Sequence, residues 1–349
     1  MPSAKVFGRK RKGKTMPKNT RKKSYRRRKS GGKKQTPEQK ILEYMLGLKE
    51  EVLKREVMPW DSGRLGHLPY NPFTDHQYGG SFNLFMLQVR AFGTGWTDPR
   101  FVTRGKAKEL KADFRGQRMT QLWYPMQRKE VNEDTGEEEI VGVYYRPFFV
   151  FNVEQFANLS ELDIPPLSVS EWGDTPAAER IEAVKDHMLA NFKSPPAMRE
   201  EAMIRAPHYR PATHEVVLPP TREYRKPERF AQSMLHELVH ATGAPGELSR
   251  FKVNRYGSPC TPQGADYAYE EMATQFATAS LLTQYGFAHE RKTSADYIVS
   301  WYSAIEDKPE LLGSAIKDAM AVIRYVNKDN PLPNSDDYIE DGQVLQEAA

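Results

Sequence analysis

Apolar residues recur along this chain with a helical period in some stretches and a strand period in others. Between Thr36 and Pro59 they fall at Ile41, Leu42, Met45, Leu48, Val52 and Leu53, the stripe of an amphipathic helix. Thr36-Pro37-Glu38-Gln39 opens that helix with an N-cap, a proline at the first helical position and a glutamine placed to close a capping box. A second helix is predicted where Phe82 to Leu87 runs on through Val89 and Phe92 without a turn, and a third from Lys106 to Phe114. Met119 to Tyr124 and Ile140 to Val153 read as strands joined by the polar hairpin tip Asn132-Glu133-Asp134-Thr135-Gly136.

Proline, serine and acidic residues dominate from Leu159 to Pro176, which places a linker at residues 161–175. Beyond it the period is mostly helical. Helices are predicted at about Pro176 to Phe192, from Pro227 to the stop at Gly243 and Pro245, and at about Asp266 to Tyr285, Ala295 to Ile305 and Pro309 to Val326. One short strand, Glu215-Val216-Val217-Leu218, ends at Pro219-Pro220. The expected fold class is α+β, with a mixed α+β domain at residues 36–160 and a mainly helical domain with a short sheet at 176–330. Residues 1–35 form a basic arm and 331–349 an acidic tail.

The helix from Pro227 carries the sharpest chemical signal. Phe230, Met234, Leu235, Leu238 and Val239 are its apolar stripe, and His236-Glu237-Leu238-Val239-His240 lies along it. Imidazoles four residues apart sit one turn above another on one face, so both can reach a single Zn2+ at about 2.0–2.1 Å. Glu237 is then free to act as a general base. A catalytic zinc takes three protein ligands, and the next helix offers Tyr269-Glu270-Glu271-Met272-Ala273-Thr274. Glu270 shares a face with Ala273, Thr274, Ala277 and Leu281, a small surface that lets two helices approach closely. Glu271 shares its own with Thr274, Gln275 and Thr278, with Gln275 placed to orient a ligating histidine. Spacing leaves Glu270 and Glu271 as alternative ligands. A zinc so held keeps a position for water, whose proton Glu237 would take and pass to the leaving nitrogen of a peptide bond. Tyr256 and Tyr267, between the two motifs, are candidate oxyanion partners. The plainer reading is an amphipathic helix whose histidines are satisfied by hydrogen bonds.

Composition adds an asymmetry. The net charge of +5 conceals sixteen Lys and Arg, with Arg26, Arg27 and Arg28 among them, ahead of the first acid, Glu38. The rest of the chain has 35 basic against 46 acidic residues. With few large apolar residues the arm is expected to be disordered and to bind phosphate backbones by counterion release, so nucleic acid is its natural partner. The bland alternatives are a solvated tail, contact with the acidic body, or a basic localisation signal in a host with a nucleus. Length, at 349 residues, favours more than one domain. The single cysteine, Cys260, excludes a disulfide framework and a cysteine zinc cluster, and fits a reducing, cytoplasmic setting. No run of 18 apolar residues spans a membrane, and no apolar stretch follows the charged arm as a secretory signal requires.

In their order along the chain these residues resemble the ArdC-type antirestriction proteins. Such proteins join an N-terminal single-stranded-DNA-binding domain to a C-terminal zincin-like metallopeptidase domain related to those of phage and plasmid polyvalent proteins. The likeness runs through Pro59-Trp60, Asn71-Pro72-Phe73-Thr74, Tyr78-Gly79-Gly80, Asn83, Trp96-Thr97 and Phe151-Asn152-Val153-Glu154-Gln155. It continues through Tyr209-Arg210-Pro211, the Glu215 strand with its prolines, the histidine motif with Thr242-Gly243, Tyr267-Ala268-Tyr269-Glu270-Glu271 and Tyr297-Ile298-Val299-Ser300-Trp301. About residues 37 to 326 are covered, and the arm lies outside. The family usually has another glutamate where Gln275 stands, and a different glycine pattern where this chain has Ala244-Pro245-Gly246.

The resemblance implies a DNA-binding zinc metallopeptidase that protects mobile-element DNA from restriction. A non-enzymatic single-stranded-DNA shield with a structural or dormant zinc, and a DNA–protein crosslink protease, are the competing readings. For the DNA the candidates are Tyr78, Trp96 and Trp123 as stacking platforms and Lys106, Arg115 and Arg118 as phosphate partners, with core packing and a solvated face as the alternatives. Duplex DNA is a further candidate partner of the arm, and a protein the expected substrate.

Overall fold

The computed structural model describes residues 35–55, 67–78, 81–131, 138–167, 175–287 and 307–328, together with Ser303. The expectations for the arm with Arg26, Arg27 and Arg28, the hairpin tip, most of the helix at 295–305 and the acidic tail fall outside the described residues.

The first helix opens as its sequence requires. In α1 (Pro37–Gly47) the Thr36 hydroxyl accepts from the Gln39 amide while the Gln39 side chain accepts from the Thr36 amide. The apolar stripe does not continue as one helix. Gly47 ends α1, and α2 (Lys49–Arg55) restarts after Leu48. β1 (Tyr70–Asn71) and β2 (His76–Gln77) form a small antiparallel ribbon ahead of α3 (Ser81–Thr94). After β3 (Phe101–Thr103), α4 (Arg104–Glu109) is shorter than its sequence pattern suggested. Lys111 turns the chain at a positive φ of 58°, so that Phe114 stacks on Phe151 at 4.5 Å instead of extending a helix.

β4 (Thr120–Val131) and β5 (Glu138–Asn152) build a long antiparallel hairpin that β3 joins on the far side of β5, in the order β3-β5-β4. The apolar run Met119–Tyr124 marked only the buried part of β4; backbone pairing to β5 carries the strand on to Val131. The free edge of β4 is closed from α3. Asn83 Nδ2 donates to the Trp123 carbonyl at 2.7 Å and Asn83 Oδ1 accepts from the Trp123 amide at 2.9 Å, as a neighbouring strand would.

In the second half, α5 (Ala177–Asn191) leads to a sheet in the order β6-β8-β7, made of β6 (Ala197–Glu200), β7 (His208–Arg210) and β8 (Glu215–Leu218). β8 is the apolar strand legible in sequence. β6 runs parallel to it and β7 antiparallel; both are polar enough to have escaped the period-2 reading. The helices α6 (Pro227–Ala241), α7 (Gly264–Gln284) and α8 (Pro309–Val326) follow.

One hydrophobic core links the two halves across the stretch read as a linker. Phe85 of α3 meets Phe276 of α7 with ring centroids 4.7 Å apart, and buried residues from Ile41 to Val326 belong to the same cluster. α8 lies so close to α1 that a side chain at Gly313 would meet Glu38 Cγ at 2.6 Å. A second, smaller cluster forms where Ala107, Val102, Phe151, Val153 and Phe156 pack together behind α4. Among the described residues no helix is long and apolar enough to cross a membrane.

Candidate metal centre

α6 presents His236, Glu237 and His240 toward α7. Its stripe of Phe230, Ala231, Met234, Leu235, Leu238 and Val239 is buried, which fixes the rotation of the helix and aims the two imidazoles at the opposing helix. The ring centroids lie 4.7 Å apart and the two Nε2 atoms 3.1 Å apart. From α7, Glu271 brings Oε2 to 3.5 Å from His236 Nε2 and Oε1 to 3.3 Å from His240 Nε2. His236, His240 and Glu271 thus form a cluster whose donor atoms all lie within 4.8 Å of one another. In a tetrahedron with 2.0–2.1 Å arms the corners are about 3.4 Å apart, so the spacing fits a common cation.

Glu270 points elsewhere. Buried, it accepts from His240 Nδ1 at 3.2 Å, on the opposite side of the ring from Nε2. Arg250 grips the same carboxylate from Nη2 at 2.7 Å and Nε at 3.0 Å, and also donates to Thr242 Oγ1 and to the Val239 carbonyl. Thr274 Oγ1, one turn on from Glu270, lies 3.1 Å from His240 Nδ1. Gln275 reaches His236 Nδ1 at 3.4 Å. The two carboxylates that spacing left equivalent are therefore separated by geometry, with one at the Nε2 atoms and one behind the ring.

The loop that delivers Arg250 depends on a missing side chain. A Cβ at Gly243 would stand 2.9 Å from Phe251 Cζ and 3.0 Å from the His240 carbonyl, so only glycine allows the chain to fold back this closely after α6.

The electrostatics favour positive charge between these groups. Burial opposes a charged His240, yet its hydrogen bonds with Glu270 and Glu271 outweigh the penalty and raise the imidazolium to about 9. Burial likewise pushes Glu270 up, but His240 and Arg250 hold it down at about 2. For Glu271 the same contest ends well below the ordinary carboxylate range, through His236 and His240. Such a pocket suits a divalent cation with two neutral imidazoles and a carboxylate. Glu237, 7% exposed, lies close enough to act electrostatically on His240 and Tyr267. Tyr267 is half exposed; burial and the neighbouring Glu271 and Glu237 carboxylates push its hydroxyl up to about 12. Tyr256 is 75% exposed, with the Arg255 guanidinium over its ring at 4.6 Å.

Residues 190–318 match the zincin-like metallopeptidase family of polyvalent proteins, and residues 35–151 match the N-terminal domain of anti-restriction factor ArdC. The fold is that of the antirestriction protein ArdC from the R388 plasmid, whose metal-free crystal structure aligns with a TM-score of 0.60 over 84% of this chain and 97% of that one, at 20% identity. The chain is an ArdC-type protein. The Mn(II)-bound ArdC structure aligns with a TM-score of 0.59. Among curated relatives, a DNA primase TraC of Escherichia coli is 31% identical over 288 residues, and an uncharacterised protein of Sinorhizobium fredii is 25% identical over 279. This ArdC-type chain spans 25% of the length of that primase, 18% of a second TraC and 84% of the Sinorhizobium protein.

The DNA candidates of the ArdC-type N-terminal half are scattered. Tyr78 is a core residue: it stacks on Phe148, meets Phe101 edge-on and donates to the Phe101 carbonyl, so its faces are not open to a base. Trp123 is buried, and Trp96 is partly buried with its ring edge-on to Phe101 and the Arg90 guanidinium at 5.4 Å. Lys106 pairs with Glu109 and lies over Phe73. Arg115 and Arg118 are exposed, Arg115 forked onto Asp113. Arg250 has no counterpart among the residues predicted from sequence, because a buried arginine between motifs carries no periodic signal; Thr242 and Thr274 stood there only in the family likeness and on a helix face.

Proposed function

We propose that this chain is a divalent-metal-dependent peptidase with an antirestriction role, held on DNA by its N-terminal half and basic arm. The observation that carries this reading is the convergence of His236 Nε2, His240 Nε2 and the Glu271 carboxylate at 3.1–3.5 Å. In this reading His236, His240 and Glu271 are the ligands. Two imidazoles and a carboxylate suit Zn2+, and the Mn(II) bound by the R388 protein makes manganese the other candidate. When bound, such a cation supplies Lewis-acid activation of water and of the scissile carbonyl.

The residues divide the remaining work. Glu270 accepts the Nδ1 proton of His240 and so leaves the Nε2 lone pair facing Glu271. Arg250 fixes Glu270 in turn. Gln275 Nε2 lies 3.4 Å from His236 Nδ1 and orients that ring by contact. Glu237 takes a proton from the attacking water on its carboxylate and returns it to the leaving amine. Tyr267, whose hydroxyl feels the Glu271 and Glu237 carboxylates, is the tyrosine that would donate to the developing oxyanion. A tether to DNA makes encounter with DNA-bound proteins intramolecular, which raises the effective substrate concentration.

The test is Glu237→Gln in the full chain, assayed on an unfolded protein substrate with added Zn2+ or Mn2+. Cleavage is expected to fall by about 10²–10⁴-fold while metal content is unchanged. Undiminished cleavage would remove Glu237 from the reaction.

A further inference from the structure

The segment that joins the two metal-facing helices is anchored at its base and bare at its tip. Phe251 is buried, its amide donates to the Gly243 carbonyl at 3.0 Å, and Lys252 pairs with Asp266 in the first turn of α7. The Cys260 amide donates to the Lys252 carbonyl at 2.7 Å and Val253 bridges Pro259, so residues 252–260 close into a small hairpin. Asn254 builds the tip. Its amide donates to the Ser258 carbonyl at 2.8 Å, its carbonyl accepts from Gly257 at 2.9 Å, and its side-chain oxygen accepts from the Tyr256 and Ser258 amides. Gly257, at a φ of 80°, lets the chain reverse.

This ordered tip packs against nothing apolar. Val253 is 52% exposed and Tyr256 75% exposed, with one face of the Tyr256 ring taken by the Arg255 guanidinium at 4.6 Å. Arg255 itself is exposed and, among the described residues, forms no ion pair. The base of the hairpin stands next to the metal centre. Asp266, which holds Lys252, precedes Glu271 by five residues, about 7.5 Å along α7, and the exposed Tyr267 lies one turn before Glu271 on the same helix face. Apolar side chains held in fixed positions in water mark a binding surface, because their order is already in place when a partner arrives. A hairpin tip that presents single side chains can meet only side chains that are not packed in a core of their own, which points to an unfolded segment of polypeptide.

We propose that the 252–260 hairpin is the substrate-docking element of this centre, with Tyr256 and Val253 receiving a bulky apolar side chain of an unfolded polypeptide and Arg255 favouring an acidic residue beside it. The inference rests on the peptidase reading above and deepens it by naming the class of segment that is cut. Tyr256 then determines specificity, and the oxyanion role stays with Tyr267.

The experiment reads binding apart from cleavage, by the anisotropy of a fluorescein-labelled Gly/Ser peptide with one Phe-Glu pair, on the full chain carrying Glu237→Gln and loaded with Zn2+. Tyr256→Ala in that background is expected to weaken binding about tenfold, while Tyr256→Phe should bind as the parent does. Replacing the peptide's Glu with Lys should weaken binding to the parent, and Arg255→Gln should erase that difference. With Glu237 restored, Tyr256→Ala should raise KM and leave kcat and metal content as they were. A parent that does not bind the peptide, or a Tyr256→Ala chain that binds it equally well, refutes the proposal. So does a fall in kcat shared by Tyr256→Ala and Tyr256→Phe at constant KM, since the hydroxyl would then act on the reaction itself. Tyr256-dependent binding by a chain that cleaves nothing, Glu237 included, would uphold the docking element and overturn the peptidase reading alone. A Tyr256→Ala chain that loses a dimer in sedimentation while peptide affinity is unchanged would make the tip a contact between copies and overturn the proposal.

Discussion

Arg250 and Glu270 form a forked ion pair, 2.7 and 3.0 Å long, with side chains 6% and 5% exposed. The pair lies directly behind His240 and ties the loop after α6 to the turn of α7 that carries Glu270 and Glu271. Replacing Arg250 with Met removes the partner of a buried carboxylate, which costs about 3–5 kcal/mol. Metal affinity is expected to fall about 10–100-fold because His240 loses its fixed orientation. Lysine should rescue only part of this, since an ammonium cannot fork onto both carboxylate oxygens. Calorimetric metal titration alongside denaturant unfolding checks both effects; an Arg250→Met chain with native metal affinity would refute the linkage.

The neighbouring glutamates should separate by experiment. Glu271→Gln is expected to abolish stoichiometric metal, whereas Glu270→Gln should retain metal at reduced affinity and also destabilise the chain through Arg250. Metal content after dialysis, read beside unfolding midpoints, decides between them. Equal metal loss in both variants would mean that the carboxylates share the ligand role.

Metal should stabilise the fold. Because the three donors come from two helices separated by a long loop, a cation that binds only the folded chain adds about 2.7 kcal/mol at a hundredfold excess over Kd. A chelator should therefore lower the thermal midpoint, and Zn2+ should restore it in the native chain but not in His236→Ala. A midpoint indifferent to chelator in the native chain would contradict the assigned site.

Asn83 offers a prediction away from that site. Its carboxamide satisfies both backbone groups of Trp123, so Asn83→Ala leaves a buried donor and acceptor without their partner. A loss of about 1–3 kcal/mol is expected for each group left unpaired, with faster amide exchange at Trp123 and no change in metal affinity. Unaltered exchange at Trp123 would show that another group closes the edge of β4.

What could be read directly from the amino-acid sequence was local or periodic. Thr36 with Gln39 fixed the start of α1, Glu215–Leu218 the central strand β8, and Pro309–Val326 its helix, because each depends on residues within one turn or one alternation. His236 and His240 were legible for the same reason: a four-residue offset on a helix has one geometry. Contacts between distant segments were not legible. Which of two adjacent glutamates faces the histidines depends on the rotation of α7 against α6, about 100° per residue, and that rotation is set by Met272, Ala273, Phe276 and Ala277 packing into a core shared with Phe85. Arg250 finds Glu270 only because Gly243 lets the loop turn back. Tyr78 and Trp123 are chemically fit for DNA and are buried; Tyr145 and Phe149 look like core residues and are 50% and 36% exposed. Residue type fixes what a side chain can do, but burial is a property of the assembled fold, and it decided which of these rings solvent can reach.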